Sequence, residues 1–228
     1  MTRILIVDSN GPGLPALGPG FAAVLTAVSR HITCSLCAPY LGQALPEGVF
    51  DGVVLTGSAV PWCVDAPEGQ VLRDIWDQVT GWKVPIWGSC NGMQLAAFML
   101  GGRCAASPQG DEDGLAEAIT LTDIGRVHPM MQGRAYQFCA PCVHRDEVQR
   151  LPHGARLLAE NAHSPVQAFA YETADISFWG TQYHPEFSLA EVAAWLADRG
   201  KSLPDTEERD GQGDLALATR TLELQNWL

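Results

Sequence analysis

Apolar positions along the first hundred residues fall into two alternating rhythms. Short apolar runs at Arg3–Val7, Ile32–Ala38, Gly52–Leu55 and Val84–Trp87, bounded by turn-forming residues, predict buried strands. Between them Phe21, Val24, Leu25 and Val28, and then Val71, Leu72, Ile75, Trp76 and Val79, recur at helical spacing. An apolar helix over Met93–Leu100 follows the fourth strand. Strands alternating with helices predict an α/β fold, a doubly wound and mostly parallel sheet covered by helices on both faces. Sites in such sheets lie at the carboxyl ends of the strands.

From Leu115 the rhythm shortens. Segments near 115–122, 134–143, 155–160 and 166–171, separated by turn residues, predict a small antiparallel extension. Ile176–Tyr183 is a further apolar strand that ends directly at His184-Pro185-Glu186, and Leu189–Leu196 reads as a helix. Residues 200–214 are polar and acidic, as in a solvated loop. Leu215, Ala218 and Leu222 with Leu217, Thr221, Leu224 and Leu228 then give a terminal helix with two apolar stripes. The expected organisation is one domain over residues 1–199, with the acidic loop and terminal helix of 200–228 packed on it.

Composition narrows the class. The chain has 228 residues, 46% hydrophobic and 18% charged, which suits a folded domain and excludes a largely disordered one. Its net charge of -12 repels phosphate backbones, so nucleic acid is not an expected partner. The apolar run at the N-terminus is too short for a signal peptide core or a membrane span, which points to the cytoplasm with no membrane partner. Seven cysteines include the pairs Cys34/Cys37 and Cys139/Cys142 at zinc-like spacing. They lie in strand-like stretches without Gly-rich knuckle turns, so packed thiols are expected and no metal.

The chemistry centres on Gly88-Ser89-Cys90-Asn91-Gly92, between a buried strand and an apolar helix. Gly-x-nucleophile-x-Gly in that setting is a nucleophile elbow. The glycines allow strand and helix to approach closely, and the helix N-terminus favours a thiolate at Cys90. The backbone N–H of Asn91 supplies half of an oxyanion hole. A cysteine nucleophile needs a base, and the base needs an orienting partner. His184 stands at a strand end, and Glu186, two residues on, points the same way in extended chain. The order nucleophile, histidine, acid differs from that of the α/β-hydrolases.

These residues resemble the class I, or triad, glutamine amidotransferases. Gly-Ser-Cys-Asn-Gly-Met-Gln at 88–94 is similar to the family's cysteine elbow, and Gln-Tyr-His-Pro-Glu-Phe at 182–187 to its histidine–glutamate signature. Asp51–Ser58 resembles the strand and oxyanion loop before the elbow, and His144–Val148 a segment of GMP synthase-type domains. The resemblance implies that Cys90 attacks the side-chain amide of glutamine while His184 protonates the departing ammonia, with no cofactor. It further implies oxyanion donors at Gly57, Ser58 and Asn91, and substrate contacts from Gln94 and from the backbone around Val143, His144 and Arg145. For Gln94, a buried helix amide is an equal alternative.

Two departures shape the functional expectation. The loop reads Gly57-Ser58 where the family often has Gly-Gly, and this resembles the γ-glutamyl peptidase branch and some stand-alone GMP synthase-like members. No phosphate loop of an ATP-dependent synthetase occurs, so an ammonia acceptor would be a separate synthetase. The leading expectation is a stand-alone glutamine-hydrolysing amidotransferase. The alternative is a peptidase acting on small γ-glutamyl compounds, and the third reading, an inert binding module, is disfavoured by the intact Cys90, His184 and Glu186.

Overall fold

The computed structural model describes residues 1–198, 200–203 and 221–228. Eleven strands carry most of the frame: β1 Thr2–Val7, β2 Ile32–Cys37, β3 Gly52–Leu55, β4 Ile86–Ser89, β5 Arg103–Ala106, β6 Glu112–Leu121, β7 Gln137–His144, β8 Asp146–Arg150, β9 Arg156–Glu160, β10 Ala168–Glu172 and β11 Ser177–Thr181. The α-helices among the described residues are α1 Gly18–Val28, α2 Gln70–Thr80, α3 Asn91–Met99, α4 Leu189–Ala197 and α5 Leu222–Trp227. Nine strands form one sheet in the order β2-β1-β3-β4-β11-β10-β9-β6-β7, and β5 pairs with β8 in a separate two-stranded sheet. Pairing is parallel from β2 to β11 and antiparallel from β11 to β7. The expected α/β class is therefore observed, and the antiparallel extension continues the main sheet edge to edge.

Alternation along β1 builds the two faces. Ile4 and Ile6 pack with Phe21, Val24 and Leu25 of α1, while Leu5 and Val7 pack with Leu72, Ile75, Trp76 and Val79 of α2 and Met93 of α3. Because successive side chains of a strand point to opposite faces, one buried apolar run serves both layers. β11 lies between β4 and β10, so the strand leading to His184 runs beside the strand leading to Cys90. Among the described residues no helix is long and apolar enough to cross a membrane.

Several boundaries differ from the sequence pattern for local reasons. Regular pairing of β4 begins at Ile86 rather than Val84, because Lys83 turns with φ +55° and Pro85 has no N–H for a ladder. It then runs on to Ser89, because β11 pairs alongside Gly88 and Ser89. β5 and β8 are not among the expected strands: they are short, and only their mutual pairing defines them.

At the other end of the chain α5 seals the α1 face. Leu224 is fully buried there, and the Trp227 ring lies 6.4 Å from that of Trp87. Glu223 is also fully buried, held by Arg134 at 2.8 and 2.6 Å and by the Tyr183 hydroxyl at 2.7 Å. The expected acidic loop beyond residue 203, and the start of the predicted terminal helix, lie outside the described residues. None of the seven cysteines forms a disulfide. Cys34/Cys37 and Cys139/Cys142 sit on β2 and β7, the two opposite edges of the main sheet. At about 4.8 Å per strand spacing they are far too distant to share a metal ion.

Candidate active site

Cys90 occupies the turn between β4 and α3 with φ 47° and ψ -102°, a left-handed conformation that L-residues rarely adopt. Such strain costs about 1–3 kcal/mol and persists only where the surroundings enforce it. Here they do. Cys90 N–H donates to Thr181 of β11 at 2.8 Å, tying the turn to the sheet. A Cβ on Gly88 would come within 2.7 Å of the Gly92 backbone, and one on Gly92 within 2.3 Å of the Leu55 carbonyl. Both elbow glycines are thus fixed by close approach. Asn91 opens α3, where the first N–H groups have no partner within the helix.

His184 follows β11 and is buried. Its N–H is held by Pro141 of β7 at 2.8 Å, and its ring stacks on Phe187 with centroids 4.4 Å apart. The Nδ1 atom lies 2.7 Å from Glu186 Oε1. Ser89 Oγ in turn lies 2.9 and 3.0 Å from the two Glu186 oxygens, so the elbow itself steadies the acid. Burial alone disfavours a charged imidazole, but the Glu186 carboxylate and interaction with Cys90 outweigh it and push His184 up to about 10. The three residues singled out by the sequence are therefore one buried network.

The loop after β3 completes this end. A Cβ at Gly57 would lie 2.8 Å from His184 Cε1 and 3.6 Å from Cys90 Cβ, so the bare backbone of Gly57 faces both. The Ser58 hydroxyl is committed to Ser9 O at 2.6 Å and lies 3.2 Å from Asn10 Oδ1, while Asn10 also accepts from Ala59 N–H at 2.7 Å. A serine at this position is accommodated because its side chain serves the loop after β1.

Cys90 and His184 open on a cavity of about 480 Å³, also lined by Ser58, Asn91, Gln94, Val143, His144 and Arg145. Gln94 Nε2 donates to Asp146 O at 2.6 Å and to Gln182 Oε1 at 3.2 Å, so its amide nitrogen is held within the wall. Gln182 Nε2 donates onward to Cys90 Sγ at 3.4 Å, and the Val143 carbonyl lies 3.7 Å from the same sulfur. The Arg145 guanidinium grips Asp146 at 2.8 and 2.7 Å and reaches Pro61 O at 2.5 Å, bracing the rim. His144 Nε2 lies 2.8 Å from Glu112 Oε2, leaving its buried Nδ1 without a partner among the described residues. Ser89 and Gln182 were not singled out by the sequence. Each stands close in the chain to a residue that was, Ser89 one before Cys90 and Gln182 two before His184, but its partner lies more than ninety positions away.

Glu112, Cys142 and His144 also place three ligand-type atoms within 4.8 Å of one another. The Glu112 oxygens already accept from Asn161 and Gln167 at 2.7 and 2.8 Å besides facing His144. Burial opposes its ionisation, yet these contacts hold it below the usual carboxylate range. The Glu112 carboxylate is thus already committed to three neighbours, which a cation would have to displace.

Comparison with known proteins agrees with this architecture. A family model described as Glutamine amidotransferase class-I matches residues 51–200. A gamma-glutamyl-L-1-hydroxyisopropylamide hydrolase from a Pseudomonas species is 36% identical over 165 residues, 71% of this chain and 55% of that protein. The chain thus spans little more than half the length of that relative. A glutamine-hydrolysing GMP synthase of Thermomicrobium roseum is 34% identical over 158 residues, 68% of this chain and 27% of that protein. A solved glutamine amidotransferase of Thermotoga maritima shares the fold with a TM-score of 0.74 at 16% identity, covering 99% of this chain and 96% of that one. With the family model matching 150 of the 228 residues, the chain belongs to the class I glutamine amidotransferase family.

Proposed function

We propose that the protein hydrolyses the side-chain amide bond of a γ-glutamyl compound through a thioester on Cys90. The observation that carries this reading is the left-handed Cys90 beside His184, whose Nδ1 is held 2.7 Å from Glu186. The Cys90 thiol proton passes to His184, and sulfur attacks the amide carbonyl. The oxyanion is received by the backbone N–H groups of Asn91 and of the Gly57–Ser58 loop, a contribution of about 3–4 kcal/mol per donor in comparable sites. The carbon–nitrogen bond breaks as His184, through Nε2, gives its proton to the leaving nitrogen. Water then attacks the thioester, returns a proton through His184 to the sulfur and frees glutamate. Gln94 and the Val143–Arg145 segment line the cavity where the glutamyl end would rest, and the chemistry needs no cofactor.

Glutamine is the smallest such substrate, with ammonia as leaving group, and a larger γ-glutamyl amide reacts by the same steps. The Pseudomonas relative, a hydrolase of a substituted γ-glutamyl amide by its name, favours the second. The glutamine-hydrolysing GMP synthases favour the first, with ammonia passed to a separate synthetase. Glutamate release from glutamine and from γ-glutamyl amides, with wild type and Cys90→Ala, tests the reading. Wild type should turn over at least one of them and Cys90→Ala none. Full activity in Cys90→Ala would sink the nucleophile assignment. An increase in glutamine turnover on adding a co-purifying synthetase would favour the ammonia-supplying form.

A further inference from the structure

The leaving group's position follows from proton delivery. With Nδ1 tied to Glu186, His184 can protonate a departing nitrogen only from Nε2, so that nitrogen must sit on the open side of the imidazole. The cavity onto which His184 opens is also lined by Phe187, stacked on the imidazole face at 4.4 Å, and by Val192 and Trp195 of α4. Val192 and Trp195 are three residues apart and share one helix face. Glu191 also lines the cavity, but its carboxylate accepts from Ser188 N–H and Oγ, both at 2.7 Å, as the capping box that starts α4. The lysine and the arginine of the lining are paired, Lys201 with Asp113 at 2.6 Å and Arg145 with Asp146. A cavity of about 480 Å³ falls within the range of about 300–1,000 Å³ that receives a drug-sized ligand. Ammonia leaving from glutamine would use little of that space.

We propose that Phe187, Val192 and Trp195 form a leaving-group subsite that selects γ-glutamyl amides with an uncharged, apolar substituent on the amide nitrogen over glutamine and over γ-glutamyl amino acids. The inference rests on the Cys90 thioester reading and names its substrate class. Apolar carbons of the amine replace water against the α4 face, and each buried methylene is worth about a fourfold gain in kcat/KM. An amino-acid leaving group carries a carboxylate that meets cations already neutralised by Asp113 and Asp146. Desolvating that charge without a free partner is unfavourable.

The test compares glutamine, γ-glutamyl ethylamide, γ-glutamyl butylamide, γ-glutamyl phenethylamide and γ-glutamylphenylalanine with wild-type enzyme. The last two differ by one carboxylate. We expect kcat/KM to rise with apolar length and the phenethylamide to exceed both glutamine and γ-glutamylphenylalanine at least tenfold. In Trp195→Ala the ratio of phenethylamide to glutamine should fall about tenfold, and in Trp195→Phe most of it should return. Glutamine matching the alkyl amides, γ-glutamylphenylalanine matching the phenethylamide, or an unchanged ratio in Trp195→Ala would each overturn the subsite. The wild-type series decides even if a variant fails to fold. If no compound yields glutamate and intact-mass analysis finds no γ-glutamyl adduct on Cys90, the thioester reading falls with it. If glutamine alone is hydrolysed, only the subsite falls.

Discussion

At the scale of single residues, the proton on His184 is controlled by its neighbours. Its folded value near 10 lies above the ordinary 6.5, so the stability that this contributes is fully present below about 6.5 and lost as pH rises through about 10. Because His184 gives its proton to the leaving nitrogen in the proposed mechanism, activity should decline over the same upper range. Glu186→Gln removes the carboxylate that stabilises the cation, so the declining limb should move down by about one pH unit or more in a kcat–pH profile. An unmoved limb would show that Glu186 does not control this proton. Gly57 sets a spatial limit: a methyl there meets His184 Cε1 at 2.8 Å. Gly57→Ala should lower kcat about a hundredfold, the scale of a 1 Å misplacement, with the fold kept by circular dichroism. Much of this site was legible in the chain, because the elbow and the His184-Pro185-Glu186 string are local patterns. The Gln182 donation to Cys90 and the Ser89 contact with Glu186 were not, because each joins residues more than ninety positions apart.

At the scale of elements, α5 is more than a cover for the α1 face. It carries Glu223 into the interior, and Glu223 holds Tyr183, the neighbour of His184. Removing one member of a buried ion pair strands the other, typically at about 3–5 kcal/mol. Glu223→Ala should therefore lower Tm by about 10 °C, since roughly 2–4 °C is lost per kcal/mol at this chain size. Arg134→Met combined with Glu223→Leu should recover much of that loss in urea or thermal unfolding, whereas additive losses would mean that the pair is not coupled. The helical period of α2 and the unbroken apolar run of β3 were readable, and both fall within a residue of their expected bounds. β5 and β8 were not, since their four and five residues hold no period of their own and exist through each other. The apolar stripes at the chain end foretold a helix, but nothing in them announced that a glutamate would point inward.

At the scale of the whole molecule, the sheet joins a parallel half to an antiparallel half through β11. Residues 2–89 supply the strands on one side of it and residues 112–172 those on the other. The pattern of runs predicted both halves, but strand order depends on long-range pairing that no local rhythm encodes. Trp179 of β11 stands opposite Trp87 of β4 in the ladder. Pairings of such sequence separation form late and slowly, because loop closure must precede any contact. During refolding, activity on a γ-glutamyl amide should return together with protection of the β4–β11 amides in pulse-labelled hydrogen exchange. Activity recovering well before that protection would break the link.

That placement has a consequence for timing in a growing chain. A ribosome that has released only the first 176 residues has made Cys90 and its elbow, yet not the histidine that would arm the thiol. On the proposed mechanism, assembly of the last central strand and arming of Cys90 are a single event. In that reading an unfinished chain holds Cys90 without its base, and the two meet only in a sheet already closed around them.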